Sequence, residues 1–192
     1  MTADLAARLG TAVRHHLLPG TDDHVQVTPR ADGSILLRAH DAEWRAVHLP
    51  LTGPVDFFLV VPEPEGTRHR GGHPVLAVAA DGASWAIRRP EQLAALLASG
   101  RRIPPATVAA LTALILGTGA ERVITSDAEL PLSLRTTLHE RGGIVVPPVA
   151  SPAGWAFTTL RPDPAGGPEQ EVRQWTVAAD PFDWTAETTG TT

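Results

Sequence analysis

The sequence predicts a mixed α+β protein: an N-terminal amphipathic helix, an antiparallel β-meander, and then helices and a βαβ unit extending the same sheet. Three observations support this class. Near the N-terminus the apolar residues recur every four positions, as on one face of a helix. From about residue 25 to residue 88 they alternate with polar residues between turn signals, as in antiparallel strands. After Pro90 the helical spacing returns.

Residues 3–18 form the predicted N-terminal helix. Thr2 is a suitable N-cap, and Pro19-Gly20 ends the segment. The opposite face is charged, so the helix is expected to lie on a surface through its apolar stripe. The stripe consists of Leu5, Leu9, Val13 and Leu17, and the first three of these are also candidate partner-binding residues.

Six short strands are predicted in the following segment. Asp32-Gly33 and Asp81-Gly82 are typical of hairpin turns between them. The fourth strand is almost wholly apolar, which favours a central position in the sheet. The predicted strands lie near residues 25–27, 35–39, 43–49, 55–61, 75–79 and 84–88.

The second half predicts helices first and strands later. Pro90 opens one helix, which Gly100 ends, and Pro104-Pro105 opens the next. A strand at 122–125, a helix at about 130–141 and a strand at 144–146 make the predicted βαβ unit, and 155–160 and 172–177 are expected as edge strands. We predict one domain over residues 1–179, followed by a flexible tail, 180–192, that is first acidic and aromatic and then Thr-rich.

Composition excludes several functional classes. All 16 basic residues are Arg, and the 192-residue chain has no Lys, Asn, Cys or Tyr, a bias expected of a bacterium with a GC-rich genome. Without Cys there are no disulfides, thiolate metal sites or thiol nucleophiles. A net charge of -5 argues against a nucleic-acid partner. There is no apolar run of membrane-spanning length and no signal-peptide pattern, so we expect a cytoplasmic protein without a membrane partner.

A His-rich loop is the weak candidate for a metal site. His69 and His73 are separated by three residues, a spacing that binds zinc when a helix holds both rings on one face. Here two glycines lie between them, and Arg68 and Arg70 would repel a cation. We therefore expect neither a metal nor a cofactor.

Arginine pairs are candidates for an anion site. Arg68 and Arg70 adjoin two glycines with accessible N–H groups, and Arg88-Arg89 precedes a helix N-terminus, where the helix dipole favours a negative charge. The competing interpretation is a solvated surface, because Arg is the only strongly basic residue of the chain and pairs arise by composition.

The C-terminal segment carries an aromatic candidate for partner binding. Phe182 and Trp184 lie among acidic residues just before the Thr-rich end. Such anchors suit docking into a groove of another protein. The alternative is that both rings clamp the tail onto the sheet of their own chain.

No catalytic motif is present: the chain has no nucleophile elbow and no phosphate-binding glycine loop. We therefore expect a non-catalytic binding or assembly-accessory protein that associates with another protein or with itself. The alternative is an enzyme or binding protein for a small anionic ligand, with a pocket lined by Arg and His.

Overall fold

In a computed structural model the described residues are 2–20, 22, 24–40, 42–63, 73–116, 121–163, 169–180 and 182–191. The chain forms two compact units, Met1–Arg88 and Arg89–Thr192. Their boundary coincides with the change of pattern near Pro90. The single domain over residues 1–179 stays a prediction.

The described part of the first unit contains one helix and a six-stranded antiparallel sheet. Its strands follow one another in sheet order as in the chain, so the predicted N-terminal helix and meander are confirmed. Gly33 and Gly82 occupy the hairpin turns with φ of 82° and 86°, values that glycine adopts without strain. The elements are α1 (Ala3–Leu17), β1 (Gln26–Pro29), β2 (Ile35–Ala39), β3 (Ala42–Leu49), β4 (Val55–Glu63), β5 (Val75–Ala79) and β6 (Ser84–Ile87).

In its described residues the second unit contains three α-helices, one 3-10 turn (Asp127–Glu129) and a separate sheet. The order in this sheet is β11 (Phe182–Thr191), β10 (Gln170–Ala179), β9 (Gly154–Pro162) and β7 (Arg122–Ile124). β8 (Val149–Ser151) also pairs with β9, and every pair is antiparallel. The α+β class is therefore confirmed for the chain. The elements are α2 (Pro90–Ala98), α3 (Pro105–Leu116), β7 (Arg122–Ile124), α4 (Leu132–Glu140), β8 (Val149–Ser151), β9 (Gly154–Pro162), β10 (Gln170–Ala179) and β11 (Phe182–Thr191).

The predicted βαβ extension of the first sheet is wrong in detail. β7 pairs antiparallel with β9 in the second sheet, and 144–146 is not a strand. There the Thr158 hydroxyl bonds both backbone groups of Val146, accepting from its N–H at 2.8 Å and donating to its carbonyl at 3.2 Å. Pro147-Pro148 follows, and proline has no N–H for a strand ladder. A side-chain tether thus replaces the expected strand.

The C-terminal segment also differs from expectation. The sequence predicted a flexible tail from residue 180, whereas Phe182–Thr191 forms β11 and pairs with β10 along its length. Threonine and aromatic residues fit the pleated surface of a sheet well, and β10 offers an edge to pair with. A one-residue irregularity between Val172 and Arg173 interrupts the register.

Gly154 allows β9 and β10 to approach each other closely. A Cβ atom at this position would collide with the backbone carbonyl oxygen of Val177. Because a backbone atom cannot move aside as a side-chain end can, the first residue of β9 has to be glycine for this register to form.

Candidate functional site

β11 forms an edge of the second sheet. Its inner side pairs with β10, and none of the described strands pairs with its outer side. Most of its side chains are exposed. An unpaired strand edge presents backbone N–H and C=O groups that can bind a further strand. One of them, the N–H of Trp184, donates to the Asp183 carboxylate at 2.8 Å.

An aromatic stack runs across the sheet and ends at this edge. The ring of Trp175 lies between two others, with centroids 5.8 Å from Phe157 and 5.7 Å from Trp184. Phe157 and Trp175 are buried, whereas Trp184 is 43% exposed. The stack therefore fixes a half-exposed indole at the edge. The contact of Trp184 with Trp175 lies within one chain, which agrees for Trp184 with the alternative that the C-terminal segment packs on the sheet of its own chain.

Phe182 lies at the start of β11, opposite Ala179, and is partly buried. By the two-residue period of a strand it shares a face with Trp184, whereas Asp183 and Glu187 lie on the other face. β11 therefore presents aromatic side chains on one face and exposed carboxylates on the other.

A buried polar network holds the middle of the stack. The indole N–H of Trp175 donates to the Thr159 hydroxyl at 2.9 Å, and this hydroxyl donates to Glu121 at 2.8 Å. The other oxygen of Glu121 lies 3.4 Å from the Arg173 guanidinium, and the Glu121 side chain is fully buried. A buried carboxylate needs such partners, because desolvation penalises its charge.

The network continues toward solvent through Glu171. This carboxylate accepts from Arg173 at 3.2 Å and from Arg161 at 3.4 Å. Arg173 thus bridges a buried acid and a partly exposed one. The arrangement pairs Glu121 and Glu171 with Arg161 and Arg173 inside the sheet, so we assign it a structural role.

The apolar face of α1 is directed into its own unit. Leu9 and Val13 are completely buried in a core with sheet residues such as Leu37 and Phe58, and Leu5 packs against that core in part. A face that covers its own sheet contributes to folding, and partner binding by Leu5, Leu9 and Val13 stays a prediction.

His16, in the last turn of α1, joins the helix to β6. Its Nε2 lies 3.1 Å from the Ser84 hydroxyl. Partial burial lowers the pKa of His16 below the ordinary value of 6.5, and the neighbouring charge of His15 acts in the same direction, while the contact with Ser84 opposes them. The folded state thus favours the neutral imidazole.

We predict that the stability of the chain decreases as the pH falls below about 6.5, because the unfolded state then binds a proton on His16 more readily than the folded state. The stabilisation that depends on the neutral imidazole of His16 is fully present above pH 6.5, and it is lost as the pH falls from 6.5 toward the lowered pKa of His16. Urea denaturation at several pH values measures it. A His16→Gln variant should show a weaker dependence over this range, and an unchanged dependence contradicts the assignment.

The Arg pair at the start of α2 is exposed. Arg88 follows β6, and Arg89 is the N-cap residue of α2, where its backbone N–H donates to the Gln92 side chain at 3.1 Å. Pro90 has no N–H to offer an anion, and Glu91 already supplies a negative charge in the first turn. An anion site at Arg88 and Arg89 stays a prediction.

Most of the His-rich loop, residues 64–72, lies outside the residues that the structure describes. Arg68, His69 and Arg70 are outside the described residues, and His73, just before β5, is exposed. Within the described ranges, no three His, Cys, Asp or Glu residues are grouped so as to hold a metal ion. Among the described helices, none combines the length and apolarity required to cross a membrane.

Comparison of the chain with protein-family models, curated proteins and solved structures found no match.

Two features of these units were missed in the sequence. The partners of Glu121 lie 38 and 52 positions along the chain, so no local pattern indicates them. Arg14 of α1 is exposed and lines a groove beside the end of this helix, and because it belongs to no Arg pair the pair pattern does not indicate it. Its position next to two His residues at a helix end was the available signal.

Proposed function

We propose that this protein is a non-catalytic, cytoplasmic binding or assembly-accessory protein that takes an extended segment of a partner protein onto the outer edge of β11. The observation that carries the proposal is the ten-residue strand Phe182–Thr191, paired on its inner side alone among the described strands. Addition of a strand to such an edge is a recurring mode of peptide recognition.

The side chains of β11 define the chemistry of the partner. An added strand alternates its side chains between the two faces of the sheet. On one face they would meet the exposed indole of Trp184, and on the other the carboxylates of Asp183 and Glu187. The matching segment therefore alternates apolar and basic residues.

Trp184 suits the role of an anchor because it is ordered before the partner arrives. Its stacking on Trp175 restricts the indole while 43% of the residue stays accessible. Tryptophan is enriched among residues that dominate binding energy, and a preordered side chain loses less conformational freedom on binding.

Charge favours a foreign segment over a second copy of this chain. Residues 180–191 contain three acidic residues and no basic one. Two β11 strands side by side would bring like charges together, which destabilises strand pairing. The alternative function, an enzyme or binding protein for a small anion at Arg88, Arg89, Arg68 and Arg70, finds less support, because Glu91 competes at the helix start.

A labelled peptide of alternating Val and Arg tests the proposal by fluorescence anisotropy. We expect the peptide to bind, and a version N-methylated at alternate residues to lose binding, because it lacks the N–H donors of a strand ladder. Trp184→Ala should weaken binding about tenfold or more. Glu187→Lys should weaken it through repulsion, and Glu140→Lys, at the exposed end of α4, is the matched control.

Three outcomes overturn the proposal. They are the absence of binding at millimolar peptide, equal binding of the N-methylated peptide, and unchanged binding by Glu187→Lys. Sedimentation of the chain without peptide measures whether it associates with itself. A dimer that dissociates on Trp184→Ala substitution would mean that a second copy of the chain occupies the edge of β11.

A further inference from the structure

A groove beside the end of α1 in the first unit forms a candidate site independent of β11. It encloses about 740 Å³ between the C-terminal turn of α1 and the turn that joins β5 to β6. This volume falls in the range of small-molecule sites, about 300–1,000 Å³.

Arg14 stands at this groove without a partner among the residues that the structure describes. Its side chain is exposed and makes no hydrogen bond or ion pair with any described residue, and it also lines a smaller cavity of about 360 Å³ on the other flank of α1. Arg8, two turns earlier, is by contrast held by Asp4 at 3.0 Å and by the Ala79 carbonyl at 2.8 Å. Arg14 is thus available for an external anion.

The rest of the lining combines polar and apolar groups. His15 adds an imidazole next to Arg14, and Ser84 adds a hydroxyl from β6. The apolar part of the wall consists of Leu18, Pro19 and Trp85. Of the described residues that line the groove, Arg14 is the cation and none is acidic, and the Asp81 carboxylate of the same turn accepts from the Ala83 N–H at 3.1 Å. The charge of the lining therefore favours an anion.

The wall of the groove is fixed from within the unit. The contact between His16 and Ser84 ties the last turn of α1 to β6, and the burial of Leu9 and Val13 holds the helix on the sheet. Arg14 therefore projects from a rigid element. A rigid element positions a charged group better than a loop does.

We propose that this groove binds a small organic anion. Its carboxylate or phosphate pairs with the guanidinium of Arg14, whose fork of donors suits either group. Its flat apolar body lies on the wall that contains Leu18 and Trp85. A ligand with an anionic group and an apolar body gains binding energy from Arg14 and from the apolar wall. An inorganic ion gains binding energy only from Arg14 and its polar neighbours.

Calorimetric titration with four probes tests the proposal on the full chain. We expect 1-naphthoate or 1-naphthyl phosphate to bind, inorganic phosphate to bind at least tenfold more weakly, and 1-naphthylmethylamine, of opposite charge, not to bind. The comparison of 1-naphthoate with 1-naphthyl phosphate shows whether the groove prefers a carboxylate or a phosphate. Arg14→Gln should weaken binding about tenfold or more.

Arg102→Gln is the matched control, because this exposed arginine lies in the second unit. It should bind the anionic probe as the unchanged chain does, and so should Trp184→Ala, which separates this site from the β11 edge. Equal binding by Arg14→Gln, equal binding of the amine, or amide NMR shifts confined to residues away from His15 and Ser84 would each overturn the proposal.

Discussion

Substitution of Glu121 by alanine is expected to lower the free energy of unfolding by about 3 kcal/mol. The carboxylate is fully buried, and it accepts hydrogen bonds from Thr159 at 2.8 Å and from Arg173 at 3.4 Å. Its removal leaves a buried hydroxyl without its acceptor and a partly buried cation with one partner fewer. This value lies at the lower end of the destabilisation expected when one partner of a buried ion pair is removed. The reason is that the Arg173 side chain is 24% exposed and retains its ion pair with Glu171.

Urea denaturation of the variant measures this loss, with Glu140→Ala as the control for a surface carboxylate. A cycle with Arg173→Ala then isolates the pair. In the Glu121→Ala background, Arg173→Ala should lower the free energy of unfolding by less than it does in the unchanged chain. In the unchanged chain this substitution leaves the buried Glu121 carboxylate without its cation, and in the variant that carboxylate is absent. Additive effects, or a loss no larger than that of Glu140→Ala, would mean that the network does not stabilise the second unit.

The first unit could be predicted from sequence because its information is local. The strands from β1 to β6 alternate apolar and polar residues or are mostly apolar, and turn residues separate them. Strands that follow one another in a meander need no long-range information to be placed in order.

The second sheet could not be derived in this way. β9 pairs with β7, β8 and β10, and its partners come from both sides along the chain. The polar segment at residues 185–191 has too few apolar residues to indicate a strand, and its structure depends on the edge that β10 provides. Local pattern therefore predicted most elements of the second unit and missed β8, β11 and the assembly of the sheet.

The candidate site was predicted in part for the same reason. Phe182 and Trp184 were chosen as aromatic residues in an acidic context, which sequence displays directly. Their support by Trp175 is a cross-strand contact that depends on the register of β10 and β11. Likewise, the pair Arg88-Arg89 is visible in the sequence, whereas the lack of a partner for Arg14 among the described residues is a tertiary property.

Substitution of Trp175 by alanine is expected to destabilise the chain by about 3–5 kcal/mol. The indole is 2% exposed, stacks on Phe157 and Trp184, and donates its N–H to Thr159. The variant leaves a large cavity and removes one donor from the network that includes Glu121. Trp175→Phe keeps an aromatic ring in the stack and should cost less, with the lost N–H as its main deficit.

Trp184→Ala is the matched variant for this substitution because the two indoles are neighbours in the same stack and differ in exposure, 2% against 43%. Thermal denaturation should show a large fall in melting temperature for Trp175→Ala and a small one for Trp184→Ala, about 1 kcal/mol in stability. Similar losses in both variants would contradict the assignment of Trp175 to the core and Trp184 to the surface. With the expected difference, the effect of Trp184→Ala on peptide binding reports on the edge of β11, since the sheet that presents it stays folded.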